Sequence, residues 1–282
     1  MKIFQSYGVK NISNQNENLD DVHETVSYQT DVTMRTFFSN PETVVVLELK
    51  GEIGKVLSFE TAKTMIDQAF GVKNLQAVLL EISSPGGSSF ETEQIAEYLE
   101  AKMTRSKIPV VSFVLDQALS GGYWLACTGI EIYATGRLSM VGSIGVIMEY
   151  YNYDKLKEQL GLEKKTITSG KMKDLMNSED GEERLQAIAE EIHQIFIKTV
   201  EASRGDRLKA EDQDIFNGDL WLAEGALELG LIDGVQTSAE YIAQNFTDDT
   251  KIFRIKVKEM NFADLLKNIL YMNFADLLKN IL

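Results

Sequence analysis

The sequence contains few of the residues on which many enzymes and cross-linked folds depend. Among 282 residues there is one cysteine, Cys127, which excludes an internal disulfide and any metal cluster held by several thiolates. There are two histidines, His23 and His193, so any mechanism with a histidine base must use one of them. The chain also lacks a run of about 18 apolar residues, the length that a membrane-spanning helix requires. Its first residues turn polar too soon for a secretory signal, so we expect a soluble, cytoplasmic chain.

Positive charge is also scarce. There are 28 basic and 43 acidic residues, which gives a formal net charge of −15. Nucleic-acid backbones and anionic membrane surfaces are therefore poor partners for the surface as a whole. The hydrophobic share of 44% and the charged share of 25% are those of an ordinary globular protein, which excludes fibrous and wholly disordered classes.

Periodicity predicts an N-terminal arm followed by alternating strands and helices. Residues 1–40 are polar and rich in asparagine, and we expect them to be a loosely ordered arm. Short apolar runs predict strands at 44–49, 77–82, 109–115, 131–134 and 165–168, and apolar residues at helical spacing predict helices at 59–70, 90–103, 121–127 and 182–203. Residues 220–235 indicate a strand end, a short helix and a turn that ends in glycine. This alternation favours a parallel or mixed sheet in an α/β fold.

The C-terminal tail, which we place at 241–282, contains an exact duplication. The amphipathic segment MNFADLLKNIL occupies residues 260–270 and recurs at 272–282. Two copies are too few for a solenoid, which needs at least three stacked repeats. Three interpretations stay open: a helix that docks on a neighbouring subunit, a recent duplication or artefact, and a helix that binds another partner.

Two glycine pairs follow predicted strands and mark the candidate chemistry. Gly86 and Gly87 follow the second strand, whereas Gly121 and Gly122 follow Ser120 after the third. Backbone N–H groups at such turns point at one spot and can stabilise the oxyanion of a tetrahedral intermediate. The alternative is that both pairs are tight turns, in which glycine only permits a positive φ or close packing.

Five motifs together resemble the signal peptide peptidase A family of serine–lysine proteases, peptidase family S49, whose relatives include phage head-maturation proteases. The motifs are SSPGGS at 83–88, LSGGY at 119–123, VGSIGV at 141–146, SGKMKD at 169–174 and GALELGLIDG at 225–234. The resemblance covers roughly residues 44–235. It implies a fold of repeated ββα units like that of the crotonases and Clp protease, in a protease domain at 41–240. It also implies a homo-oligomer, in the form of a ring or dome.

The resemblance assigns a role to each candidate residue. Ser120 is the nucleophile, Lys173 is the general base, and Ser143 orients the lysine amine. The oxyanion hole is lined by Gly86, Gly87 and Gly121. A serine hydroxyl needs an adjacent base, and a lysine can serve when burial keeps its amine neutral. Lys171 competes with Lys173 for this role, because both side chains point to the same side of an extended segment. No metal or cofactor is needed.

The expected function is that of a serine endopeptidase acting through an acyl-enzyme on signal-peptide remnants or on unfolded or assembly proteins. One alternative is a crotonase-type acyl-CoA enzyme, which typically has glycine where Ser120 stands. Another is a catalytically silent scaffold. His193 and Cys127 are interpreted as a surface or groove residue and as core packing. The membrane anchor of many family members is not encoded here, which leaves membrane association as an open expectation.

Overall fold

Strands and helices alternate along the part of the chain that the structure, a computed structural model, describes: residues 41–257 except 152, 164, 171–172, 176–177, 179 and 210–213. The strands are β1 (Thr43–Lys50), β2 (Leu75–Ser84), β3 (Val110–Leu119), β4 (Ile132–Ala134), β5 (Met140–Gly142), β6 (Leu220–Leu222), β7 (Gly234–Val235) and β8 (Lys251–Ile255). The helices are α1 (Phe59–Phe70), α2 (Ser89–Ser106), α3 (Gly121–Ala126), α4 (Asp154–Gln159), α5 (Gly181–Arg204), α6 (Ala223–Glu228) and α7 (Ser238–Asn245).

The strands form one eight-stranded mixed sheet with the order β6-β5-β3-β2-β1-β8, while β4 pairs with β3 and with β7. All of these pairings are parallel except that of β5 with β6. Strand β3 pairs with β4 through its first half and with β5 through its last three residues. The carboxyl ends of β2, β3 and β5 therefore meet at one edge of the sheet. The predicted α/β fold is confirmed.

Two apolar layers cover the sheet. Helices α1, α2, α3, α5 and α6 pack on one face and form the main core with alternate residues of the central strands. A smaller cluster lies on the other face, where Ile242 of α7 packs against residues such as Val44, Leu79 and Phe113. Parallel strands that are covered on both faces read as nearly continuous hydrophobic runs, which is why β1 and β2 stand out in the sequence.

A buried arginine joins α5 to the end of the 225–234 motif. The Arg204 side chain is 0% exposed and donates to both carboxylate oxygens of Asp233, at 2.8 and 2.9 Å. Its Nε also donates to the carbonyl of Gly230 at 2.8 Å. Burial acts to raise the pKa of Asp233, but the hydrogen bonds from Arg204 and from the Ile132 amide hold it below its ordinary value. Asp233 is therefore ionised, so the buried guanidinium has its counterion.

The structure differs from the prediction in several segments. No strand forms among the described residues of 165–168, and Ile167 is fully exposed, so that prediction was wrong. The β-branched residues of this segment pair with no strand among the described residues. Strand β8 was not predicted, although it lies in the expected tail and pairs with β1, and the boundary expected at residue 240 falls inside α7. Residues 1–40 and both copies of the duplicated segment lie outside the described residues. Among the described helices, none is both long and apolar enough to cross a membrane.

Candidate active site

Ser120 stands at the turn between β3 and α3 in a strained conformation. Its φ of 50° and ψ of −122° are rare for a residue with a side chain. Its N–H donates to the carbonyl of Gly142 at 2.9 Å, and its carbonyl accepts the N–H groups of Tyr123 and Trp124. The side chain makes no capping hydrogen bond to α3. A serine that is held by its backbone while its hydroxyl does not cap the helix is suited to a nucleophile rather than to an N-cap.

The Gly86–Gly87 loop touches Ser120 directly. Gly86 has a φ of +101°, and a Cβ built on it would lie 2.8 Å from the Ser120 Cβ. Gly87 has a φ of +143°, and its Cβ would lie 2.1 Å from the carbonyl oxygen of Ile53. Only glycine therefore fits at either position, and the absence of side chains lets this loop lie against the nucleophile turn.

The amide groups of these loops differ in what they can still bind. The N–H of Gly86, which the family resemblance assigns to the oxyanion hole, already donates to Ser84 Oγ at 3.2 Å. Among the hydrogen bonds of the described residues, none uses the N–H of Gly87 or of Gly121. A Cβ on Gly86 would lie 3.1 Å from the Gly121 nitrogen, so the two loops are in close contact. Of the three amides that the resemblance assigns to the oxyanion hole, those of Gly87 and Gly121 thus have no acceptor among the described residues.

Ser143 lies beside Ser120 because β3 and β5 pair in register. Leu119 pairs with Gly142, so each serine immediately follows one member of the pair. Ser143 also has a positive φ, of 52°, and its N–H donates to the carbonyl of Asp219 at 2.6 Å. A Cβ on Gly142 would lie 2.7 Å from the ring of Trp221. Residues 142–144, which we call the Ser143 loop, are therefore held between β3 and the residues around β6.

Lys173 is not brought to the serines. It lies in a turn in which its N–H donates to the carbonyl of Gly170 at 3.1 Å, and its side chain is exposed. Within the described part of the chain, no hydrogen bond or ion pair joins its amine to Ser120 or Ser143. Lys171 lies outside the described residues. The assignment of Lys173 as the base therefore remains a prediction.

Two further side chains near the site, Cys127 and His193, have environments that indicate their roles. Burial raises the pKa of the Cys127 thiol to about 12, so this residue is a neutral core thiol and not a second nucleophile. The Nε2 of His193 lies 3.1 Å from the carbonyl oxygen of Ile144, directly after Ser143. Sequence reasoning missed this contact. The available signal was the spacing of three residues from Phe196, which places His193 at the border of the buried face of α5.

Replacement of Gly86 by alanine is expected to inactivate Ser120. The new Cβ would meet the Ser120 Cβ and the Leu119 carbonyl oxygen, at 2.8 and 2.9 Å, so the nucleophile turn must shift. A displacement of about 1 Å can cost roughly 10²-fold in rate. Labelling by a serine-directed fluorophosphonate probe measures the effect. Gly136→Ala is the matched control, since nothing lies within 4 Å of its new Cβ. Equal labelling rates in the two variants would contradict the described contact.

Comparisons with known proteins identify the family to which the chain belongs. The family model described as peptidase family S49 matches residues 102–250, more than half of the chain. The chain is 34% identical over 201 residues to the Na(+)/H(+) antiporter NhaA of Brucella abortus, a match that covers 70% of this chain and 27% of that protein. It is 29% identical over 210 residues to the chloroplastic serine protease SPPA of Arabidopsis thaliana, covering 70% of this chain and 30% of that protein. The chain thus spans less than a third of the length of either relative.

A solved structure supports the fold. A lysine-to-alanine mutant of the 1510-N membrane-bound stomatin-specific protease, in complex with a substrate peptide, matches 82% of this chain and 99% of its own, with a TM-score of 0.53 and 19% identity. The predicted Clp-protease- and crotonase-like fold is confirmed, and so is the resemblance seen in the motifs. The chain belongs to peptidase family S49.

Proposed function

We propose that this chain is a serine endopeptidase that hydrolyses extended peptides through an acyl-enzyme on Ser120. The observation that carries the proposal is the strained Ser120 turn lying against the Gly86–Gly87 loop, beside two backbone N–H groups that have no acceptor among the described residues. Neither feature is needed for packing alone. Strain of this kind persists where the surrounding structure enforces it, commonly at active sites.

The proposed chemistry follows from these positions. Ser120 Oγ attacks the carbonyl carbon of the scissile peptide, and the N–H groups of Gly87 and Gly121 stabilise the oxyanion that forms. Collapse of the intermediate breaks the C–N bond, the base returns the serine proton to the departing nitrogen, and the amine leaves while an ester remains on Ser120. Water then hydrolyses this ester and restores the serine. The substrates that fit are signal-peptide remnants and unfolded or assembly proteins, because a peptide must be extended to lie between two loops.

The proton of Ser120 is proposed to pass to the neutral amine of Lys173, with Ser143 orienting that amine. In general, a lysine amine is neutral near pH 7 only where burial removes the water around it. Lys173 is exposed in the single chain, so the proposal requires that something covers its segment. Peptide substrate, or a second copy of the chain, would supply this cover.

The residues between Ser143 and Lys173 support a homo-oligomer. This stretch exposes many large apolar side chains, including Ile147 at 80%, Tyr151 at 83% and Leu160 at 64%. Apolar side chains clustered in this way on a protein surface mark an interaction site. We propose that copies of the chain assemble through this segment into a ring or dome.

Sedimentation is expected to show an assembly at micromolar concentration, because burial of these side chains favours association. The matched variants are Tyr151→Ser with Leu160→Ser, which should shift the population toward the 31.7-kDa monomer, and Ile252→Ser on β8 as a control for exposed apolar residues elsewhere. A wild-type chain that sediments as a stable monomer would refute the proposed assembly.

Ser120→Ala is expected to abolish peptidase activity on an unfolded, casein-like substrate. Removal of a nucleophile that works as one unit with its base typically lowers kcat by ~10⁴–10⁶. Ser106→Ala is the matched control, because Ser106 is an exposed serine at the end of α2. Both variants should keep the thermal midpoint of the wild type. Activity of Ser120→Ala above a few per cent of wild type would rule out this nucleophile.

The two lysines of the SGKMKD motif are expected to differ. Lys173→Ala should lose nearly all activity, since the family's base lies three residues after the motif glycine, whereas Lys171→Ala should keep most of it. Both variants are compared with the wild type by kcat/KM on the same unfolded, casein-like substrate. If Lys171→Ala is the inactive variant, the motif is out of register by two residues.

A further inference from the structure

Helix α5 contacts two parts of the candidate site: helix α3, which follows Ser120, and the loop that contains Ser143. Phe196 stacks on Trp124 of α3, with ring centroids 5.1 Å apart and an interplanar angle of 17°. Ser203 Oγ donates to the carbonyl of Cys127, directly after α3, at 2.7 Å. One turn before Phe196, His193 reaches the Ser143 loop through the carbonyl of Ile144. Helix α5 therefore lies across α3 and across the loop that follows β5.

The chemistry of this contact fixes the hydrogen-bond role of His193. A backbone carbonyl can only accept a hydrogen bond, so the Nε2 that lies 3.1 Å from the Ile144 oxygen must carry the hydrogen. This nitrogen is therefore a donor aimed at the backbone. It cannot also take a proton from Ser120, which excludes His193 Nε2 as the general base in this arrangement.

The Ser143 loop is constrained from two sides at consecutive residues. The N–H of Ser143 donates to the Asp219 carbonyl at 2.6 Å, and the carbonyl of Ile144 accepts from His193. The Ile144 side chain is fully buried, so it anchors the same loop in the core. Among the polar contacts of the described residues, His193 provides the hydrogen bond from α5 to this loop. Without it, the Ile144 carbonyl has no hydrogen-bond donor among the described residues, and the buried Ile144 side chain still anchors the loop.

We propose that His193 is a positioning residue, which holds Ser143 beside Ser120 by donating Nε2–H to the Ile144 carbonyl. This inference rests on the proposed function, because Ser143 matters only if it orients the base. Ser143 acts in the transfer of the serine proton and not in peptide binding. A shift of its loop should therefore lower kcat and leave KM nearly unchanged.

Three substitutions of His193 separate the effect of its N–H donor from the effect of its side-chain volume. His193→Gln keeps an N–H donor at a similar reach, His193→Met keeps the volume but has no donor, and His193→Ala removes both. Gln194→Ala is the control on the same helix, since Gln194 is exposed and bonds only to Glu190 one turn away. Each variant is compared with the wild type by kcat and KM on the casein-like substrate, by thermal unfolding, and by hydrogen exchange of the peptides covering 140–146.

His193→Met is expected to lower kcat by about tenfold or more with KM changed by less than about twofold, because a shift in the loop costs rate rather than binding. Hydrogen exchange of residues 140–146 should become faster in the same variant. His193→Gln and Gln194→Ala should both stay close to the wild type. If His193→Ala unfolds too readily to assay, the comparison of methionine with glutamine still decides the role.

Two results would overturn the proposal. Equal kcat values for His193→Met and His193→Gln would show that the donor does not matter for the reaction. Unchanged hydrogen exchange in His193→Met would show that the bond does not hold the loop. This second measurement does not depend on peptidase activity. If instead Ser120→Ala is as active as the wild type, the proposed function fails, while hydrogen exchange still reports on the loop.

Discussion

The strained backbone of Ser120 is the constraint on which the site geometry depends. A residue with a side chain in this conformation costs of order 1–3 kcal/mol, which the surrounding structure must offset. Part of this cost is offset by the hydrogen bond from the Ser120 N–H to the Gly142 carbonyl. Two N–H groups of α3 that donate to the Ser120 carbonyl also stabilise the turn. The first of these bonds depends on β5 lying beside the end of β3, whereas the other two are local to the start of α3. The nucleophile turn is therefore a product of strand pairing and not of its local sequence alone.

The 225–234 motif serves the site from a distance. The buried Tyr123 hydroxyl donates to the Leu231 carbonyl at 2.7 Å, so the motif is tied to the helix that begins after Ser120. Arg204 binds the motif through Gly230 and Asp233, and thereby links it to α5. A Cβ on Gly230 would lie 1.7 Å from the Arg207 carbonyl oxygen, which explains the glycine. These contacts give the motif a physical role, although no hydrogen bond among the described residues joins it to Ser120.

Much of the sheet could be predicted from the sequence because local patterns carry it, whereas the roles of the candidate site residues come from the family resemblance and stay predictions. Helix α1 was predicted with its observed bounds, since its apolar residues repeat at helical spacing and Ser58 caps its first turn. Strand β8 was missed because it is an exposed edge whose only described strand partner, β1, is about two hundred residues away. The engagement of the Gly86 amide by Ser84 and the contact of His193 with Ile144 were missed for a related reason. Helical spacing can place His193 at the border of the buried face of α5, but it does not identify the loop carbonyl to which the ring donates.

The two halves of the proposed chemistry differ in what they require. The donors for the oxyanion are backbone N–H groups of Gly87 and Gly121, and their positions follow from the loops after β2 and β3 in a single folded chain. The proposed base is a side chain on a surface turn and not a backbone group fixed by the fold. Its segment exposes apolar residues such as Ile147 and Tyr151, and the lysine itself is exposed. In the proposed mechanism, the fold alone therefore positions the oxyanion donors before substrate or a partner arrives, whereas the proton acceptor becomes competent only when that segment is covered. An uncovered chain would then hold its nucleophile in place without activating it, which limits hydrolysis to the assembled or substrate-bound form.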